Sequence, residues 1–310
     1  MIYGRHDRLI FGAAPVPHWA LFSRAPRHLL AGRTPIGQRG IARMKIGLPE
    51  SSALADLSPL GRPVRVLLPV PDRDFDVTEV SVPWRILRDA GHDVVFATER
   101  AGTRPAADPR LLSGVIFGQL GATEEAKRCY EELTRADEFT ATAAWSDLDP
   151  AAFDGLILPG GHAPGMRQYL GSPVLRQLVA RFWSLDRPVG AICHGVLVLA
   201  RATDPATGRG LLADRRTTCL PKYMERTAYL TTAWRLGRYY RTYPAYVEDE
   251  VKSALDDSGS QFQRGPRVLT CRGTATDDTP AFVVTDRNYL SARWPGDAYL
   301  FGRRFLELLK

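Results

Sequence analysis

The segment Arg187-Pro-Val-Gly-Ala-Ile-Cys-His-Gly195 ends an apolar run on a cysteine, and the apolar stretch Val196–Ala202 follows at once. A buried strand that turns directly into a helix is a nucleophile elbow, which lifts one side chain above a sheet. Cys193 occupies that position and His194 comes next. A helix N-terminus there favours a thiolate through its macrodipole and free N–H groups. A buried structural cysteine is the alternative reading.

Two further segments can meet that elbow. Leu158-Pro-Gly-Gly-His-Ala-Pro-Gly165 ends another apolar run. Gly160 and Gly161 permit close backbone approach, and their N–H groups are oxyanion-hole candidates. His162 beside them is a candidate for the pocket lining. Val70-Pro-Asp-Arg-Asp-Phe-Asp-Val-Thr-Glu-Val80 carries four acids after a third apolar run. Glu79 opens a helix there, and Asp72, Asp74 and Asp76 read as solvated loop residues.

The elements that must position these residues alternate. Val64–Val70 and Asp93–Ala97 read as strands around a helix at Val82–Ala90. Phe153–Leu158 and Val189–Ile192 read as buried strands around a helix at Pro173–Ser184. That rhythm predicts an α/β fold with a mainly parallel central sheet flanked by helices. An insertion at about 98–150 contains one helix, Thr123–Phe139. Further on, Thr217–Leu220, Arg267–Thr270 and Phe282–Thr285 read as strands. Ala228–Tyr240, Tyr246–Leu255 and Asp297–Leu309 read as helices. In an open sheet of this kind ligands bind at the carboxyl ends of the strands, where all three segments fall.

The order Glu79, then Pro159-Gly-Gly161, then Ala191-Ile-Cys-His-Gly195 resembles the ThiJ/PfpI superfamily, over roughly residues 64–309. The resemblance implies a flavodoxin-like, class I glutamine amidotransferase-like fold. It implies that Glu79 touches Cys193, that His194 joins them, and that Gly161 N–H with that of Cys193 or His194 forms the oxyanion hole. The insertion and the long C-terminal half resemble the larger heat-shock-type and glyoxalase-type branch. There a third acid orients the histidine, and Glu225 matches its segment, with Asp214 as second choice. The acidic loop before Glu79 departs from that branch, which has small apolar residues there. Glutaminase chemistry in this fold needs a downstream His-x-Glu, and no histidine follows His194.

The implied activity is a cysteine-dependent, glutathione-independent glyoxalase that converts methylglyoxal to D-lactate, a lyase without cofactor or metal. A cysteine hydrolase, peptidase or protein deglycase, is the alternative on the same site. A holdase chaperone or redox sensor is the alternative of another class. The resemblance also implies a homodimer.

Composition bounds these readings. The 310 residues carry a net charge of +7, but residues 1–43 account for most of it, with seven arginines against Asp7 alone. The remainder is almost neutral, so no basic face for nucleic acid is expected. Residues 1–63 are rich in Arg, Pro and Gly and read as a disordered extension before a domain at 64–310. An upstream start before Met44, an organelle-targeting segment and an ordered functional arm are the explanations to choose between. No run reaches the roughly 18–20 apolar residues of a membrane helix. Cys129, Cys193, Cys219 and Cys271 are widely spaced, which fits a reducing, cytoplasmic setting; all but Cys193 read as packing residues. Tyr239, Tyr240, Tyr243 and Tyr246 read as a packed helix face, with the mouth of the pocket as the alternative.

Overall fold

The computed structural model describes residues 63–115, 121–241 and 243–310. The expectations for the N-terminal extension (disorder, targeting, a start at Met44) lie outside the described residues.

The expected apolar runs become strands of one sheet. Strand β1 (Arg65–Pro69) leads through the short β2 (Arg73–Phe75) into helix α1 (Val77–Asp89) and β3 (Asp93–Thr98). The insertion follows with β4 (Ala106–Ala107), α2 (Pro109–Ser113), α3 (Glu124–Leu133), α4 (Asp137–Thr140) and β5 (Ala143–Ala144). The chain then returns through β6 (Gly155–Leu158), α5 (Met166–Gly171), α6 (Pro173–Trp183), β7 (Val189–Ile192) and α7 (Val196–Ala200). Helices α8 (Lys222–Leu236), α9 (Val247–Ser253) and α10 (Ser258–Gln261) precede β8 (Val283–Asp286), β9 (Tyr289–Ala292) and α11 (Ala298–Leu308).

The sheet runs β5-β3-β1-β6-β7-β9-β8, parallel throughout except for the terminal β8–β9 pair. From β1 the chain builds outward to β3 and β5, then returns to β6 and builds the other way. The order therefore reverses between β1 and β6, which opens a crevice at their carboxyl ends. Strands β6 and β7 are buried along their whole length, as strands covered on both faces must be. Helix α1 packs on both α3 and α11, and α7 packs with α5, α6 and α9.

Several element boundaries differ from the sequence reading. Helix α1 starts at Val77, not Val82, because the Asp76 side chain accepts the N–H groups of Thr78 (2.8 Å) and Glu79 (3.1 Å). The insertion helix breaks after Leu133, and the break lets both Leu133 and Phe139 reach the core. Helix α8 begins six residues earlier than Ala228 and stops at Gly237, whose φ is +57°.

Two expected strands are not strands. Thr217–Leu220 makes only an isolated bridge from Thr217 to Phe262 and is otherwise tied by side chains: Thr217 to Tyr289 Oη, and Thr218 N–H to Ser291 Oγ. Arg267–Thr270 is held through Val268 and Tyr223 Oη, with Arg267 and Leu269 exposed. The sheet position is filled by β9, which the sequence reading does not contain. Among the other cysteines, Cys129 and Cys219 are buried as expected, but Cys271 is exposed and so is not a packing residue.

Candidate active site

Cys193 stands one residue past the end of β7 with φ +59°, in the left-handed region that a non-glycine residue enters at a cost of about 1–2 kcal/mol. The strain is imposed by packing. Gly195, two residues on, runs so close to the end of β6 that a Cβ would sit 2.1 Å from the Leu158 carbonyl oxygen. The turn Cys193–Gly195 is a single 3₁₀ turn that passes into α7.

Glu79 reaches this turn from the first turn of α1. In a capping box a glutamate at this spacing would fold back on the N-cap N–H. Here Asp76 N–H donates instead to the Gly160 carbonyl (2.9 Å), which leaves Glu79 free to point across the crevice. Its Oε2 accepts the Gly160 N–H at 2.7 Å. Its Oε1 is buried without an N–H or O–H partner among the described residues, and the Cys193 thiol is its interacting neighbour. A Cβ on Gly160 would lie 2.7 Å from His194 N and 2.9 Å from Glu79 Oε2, so only glycine fits between base and elbow.

His194 Nδ1 lies 3.5 Å from Cys193 Sγ. The His194 ring meets His162 edge to face (4.6 Å), and His162 meets Tyr240 in the same way (5.6 Å). Tyr240 packs in turn on Tyr239 (5.1 Å). These two tyrosines lie in the turn after α8, with Tyr240 against His162, which agrees with the pocket-lining alternative and not with a helix face. The enclosure is tight: Cys193 is 1% exposed, His194 2% and Glu79 not at all.

Burial sets the protonation states. It raises Glu79 well above the usual carboxylate range, and the neighbouring Asp76 charge adds to that. It also raises the Cys193 thiol, with further push from Glu79 and Asp76. The thiolate stabilisation expected from a helix N-terminus is thus outweighed, because α7 is only five residues long and two carboxyls face the sulfur. His194 is held neutral by burial, helped by His162 and Arg201, and burial lowers His162 to about 4. The result is a neutral imidazole beside a protonated thiol, with a carboxyl of raised pKa within reach.

A family model described as ThiJ/PfpI family-like matches residues 70–266. The chain belongs to this family. An uncharacterized protein of Schizosaccharomyces pombe is 34% identical over 255 residues, which span 80% of this chain and 85% of that protein. A deglycase of Pyrococcus abyssi is 26% identical over 247 residues, covering 80% of this chain and 100% of the deglycase. In fold the chain is similar to glyoxalase III from Candida albicans, with a TM-score of 0.58 at 20% identity over 80% of this chain and 98% of that one.

Two residues of this ThiJ/PfpI-like chain lie elsewhere than its sequence suggested. Glu225 is buried, but its Oε1 accepts from Arg241 Nη1 (3.2 Å) and its Oε2 from Val247 N–H (3.0 Å). It fastens the start of α9 and makes no hydrogen bond to His194 among those of the described residues. Asp214 is half exposed and pairs with Arg287 (3.0 Å). No other acid takes the histidine-orienting role among the described residues.

Asp76 is the functional neighbour the sequence reading missed. It is 4% exposed, and burial raises its carboxyl to about 6, partly offset by Arg272. The Asp76-x-x-Glu79 capping spacing was the signal that separates it from solvated loop acids. Arg272 carried no such signal. It comes from the irregular C-terminal half, stacks on Trp294 (5.1 Å), and places a cation near both acids. Among the described residues no cluster of three or more His, Cys, Asp and Glu suited to a metal ion occurs.

Proposed function

We propose that this protein is a cysteine-dependent enzyme on small reactive carbonyl compounds, with conversion of a 2-oxoaldehyde such as methylglyoxal to the 2-hydroxy acid as its reaction. The observation that carries the reading is the strained Cys193 held between the buried Glu79 carboxyl and the neutral His194 ring.

The chemistry follows from those positions. Glu79 takes the thiol proton as Sγ attacks the aldehyde carbon, and returns it to the aldehyde oxygen, leaving a hemithioacetal. Glu79, ionised again, removes the hydrogen from the former aldehyde carbon. Charge moves onto the adjacent ketone oxygen, toward the backbone N–H groups of Gly161 and His194. Glu79 then protonates the second carbon, and the hydroxyl proton passes to the second oxygen, with His194 as carrier. The product is a thioester of the 2-hydroxy acid. Water hydrolyses it to lactate and regenerates the thiol, so one methylglyoxal and one water give one lactate.

Gly160 is not an oxyanion donor in this scheme, since Glu79 holds its N–H. The hydrolytic alternative, a deglycase, has support of its own: the similar archaeal proteins carry that name. It shares the first addition step. A redox-sensor role fits less well, because a buried thiol with a raised pKa is slow to oxidise.

The test is turnover of methylglyoxal without glutathione, with lactate of either hand measured enzymatically, for wild type and Cys193→Ala. Turnover lost in the variant supports the proposal. A folded wild type without turnover overturns it.

A further inference from the structure

An open cavity of about 490 Å³ adjoins the site, walled by Arg73 and Asp74 of β2, by Pro164 of the loop after β6, and by Arg110 and Tyr239. It does not open onto Cys193. Tyr239 joins the two regions, because it packs on Tyr240, which packs on His162, which packs on His194 beside the thiol.

Two guanidinium groups line this cavity without a paired carboxylate among the described residues. Neither Arg73 nor Arg110 has an ion-pair partner or a side-chain hydrogen bond among those of the described residues; the Arg110 guanidinium lies over the Tyr239 ring at 4.7 Å. The nearby acids bond to neutral donors and not to either guanidinium. Asp74 Oδ2 accepts Gly165 N–H (2.7 Å), and buried Asp108 Oδ1 accepts Tyr239 Oη and Arg110 N–H (both 2.9 Å). Two guanidinium forks are thus left to the cavity, and this group binds oxyanions with paired N–H donors.

The partition also suits a ligand that extends inward. Tyr240 is 6% exposed, and its hydroxyl has no hydrogen-bond partner among the described residues. Displacing it breaks no protein hydrogen bond, and its Oη can bond an incoming oxygen.

We propose that this cavity is a subsite for an oxyanion, phosphate or carboxylate, carried by the substrate whose carbonyl end reaches Cys193 past Tyr240 and His162. The preferred substrate class is then an anionic aldehyde or ketone of several carbons, with methylglyoxal as a truncated version. The proposal rests on the carbonyl reading for its reacting end only.

Binding to Cys193→Ala protein by calorimetry tests it without any turnover. The probes are glycolaldehyde phosphate against glycolaldehyde, and succinic semialdehyde against butanal. The anionic member of at least one pair binds at least about tenfold more tightly, and that pair names the oxyanion. Arg73→Gln and Arg110→Gln each remove about tenfold of that affinity and leave the neutral compound's binding unchanged. Equal binding within both pairs, no binding by either anion, or full affinity in both arginine variants overturns the subsite. Loss of methylglyoxal turnover would bear on the thiol chemistry and not on this result.

Discussion

Gly160 donates its backbone N–H to Glu79 Oε2 across 2.7 Å, so the glycine loop first holds the base and only then, at Gly161, offers a donor to an oxyanion. The same glycine accepts Asp76 N–H through its carbonyl. The end of β6 is thereby fastened to the start of α1 through both backbone groups of one residue. The base is placed by two backbone bonds and not by side-chain chance, which is what positioning within a fraction of an ångström requires.

Gly160→Ala tests that placement. Its Cβ would meet His194 N at 2.7 Å and the glutamate oxygen at 2.9 Å, and neither neighbour can retreat from a packed elbow. Turnover should fall about a hundredfold or more, with stability lower by about 1–3 kcal/mol by denaturant titration. Turnover within twofold of wild type would mean the close approach is irrelevant.

Asp76→Asn tests the electrostatics. The Asp76 charge raises the Glu79 pKa, so its removal should lower it. Glu79 must be ionised to act as base, and a lower pKa keeps it ionised in more acid solution. The acid limb of the kcat/KM profile should therefore move to lower pH. A limb that stays in place, or moves up, would remove Asp76 from the account.

Glu225→Gln separates fastening from catalysis. Burial raises Glu225 to about 7 from an ordinary value of 4.5, so the native state holds a proton that the unfolded state releases between those values. This contribution to stability is complete below 4.5 and lost as pH rises through 7, on the order of 3 kcal/mol. The variant should lack that part of the stability–pH slope in denaturant titrations, and its turnover should stay within about threefold of wild type. A loss of several hundredfold in kcat with an unchanged slope would restore Glu225 as the partner of His194.

Cys193→Gly and Cys193→Ala together measure the elbow strain. Both lose the sulfur, but only glycine accepts φ +59° without penalty. The glycine variant should be the more stable by about 1 kcal/mol. If alanine is equal or better, the backbone is not strained there.

Much of this site was legible because the strands that carry it are short apolar runs cut off by Pro, Gly or Cys. Val189–Ile192 followed by Cys193 is such a run, and so is the run before Pro159. Their order alone brings three carboxyl-terminal ends to one crevice. What was not legible depends on distant contacts. Asp76 looked like one acid of a wet loop, since its burial comes from elements far along the chain. Glu225 matched a pattern, but its partner Arg241 lies sixteen residues on, in a turn no periodicity marks. Strand β9 has a serine in a four-residue run, and that serine is buried because its hydroxyl accepts Thr218 N–H. Thr217–Leu220 had the β-branched look of a strand, yet the place beside β7 went to β9.

The central claim is that Cys193 adds to a carbonyl carbon and that Glu79 then moves a proton on the adduct. Intact-mass spectrometry under native conditions, on mixtures of methylglyoxal with wild type, Glu79→Gln and Cys193→Ala, tests it most directly. Glu79→Gln lacks the fixed base but should still reach the reversible addition equilibrium, more slowly, because thiols add to aldehydes without one. It should accumulate an adduct of one methylglyoxal while producing no lactate, and the absence of that adduct in Cys193→Ala assigns it to the thiol. Wild type should turn over without accumulating it, and Cys193→Ala should show none. An adduct of equal yield in Cys193→Ala, or lactate from Glu79→Gln at the wild-type rate, would contradict the account.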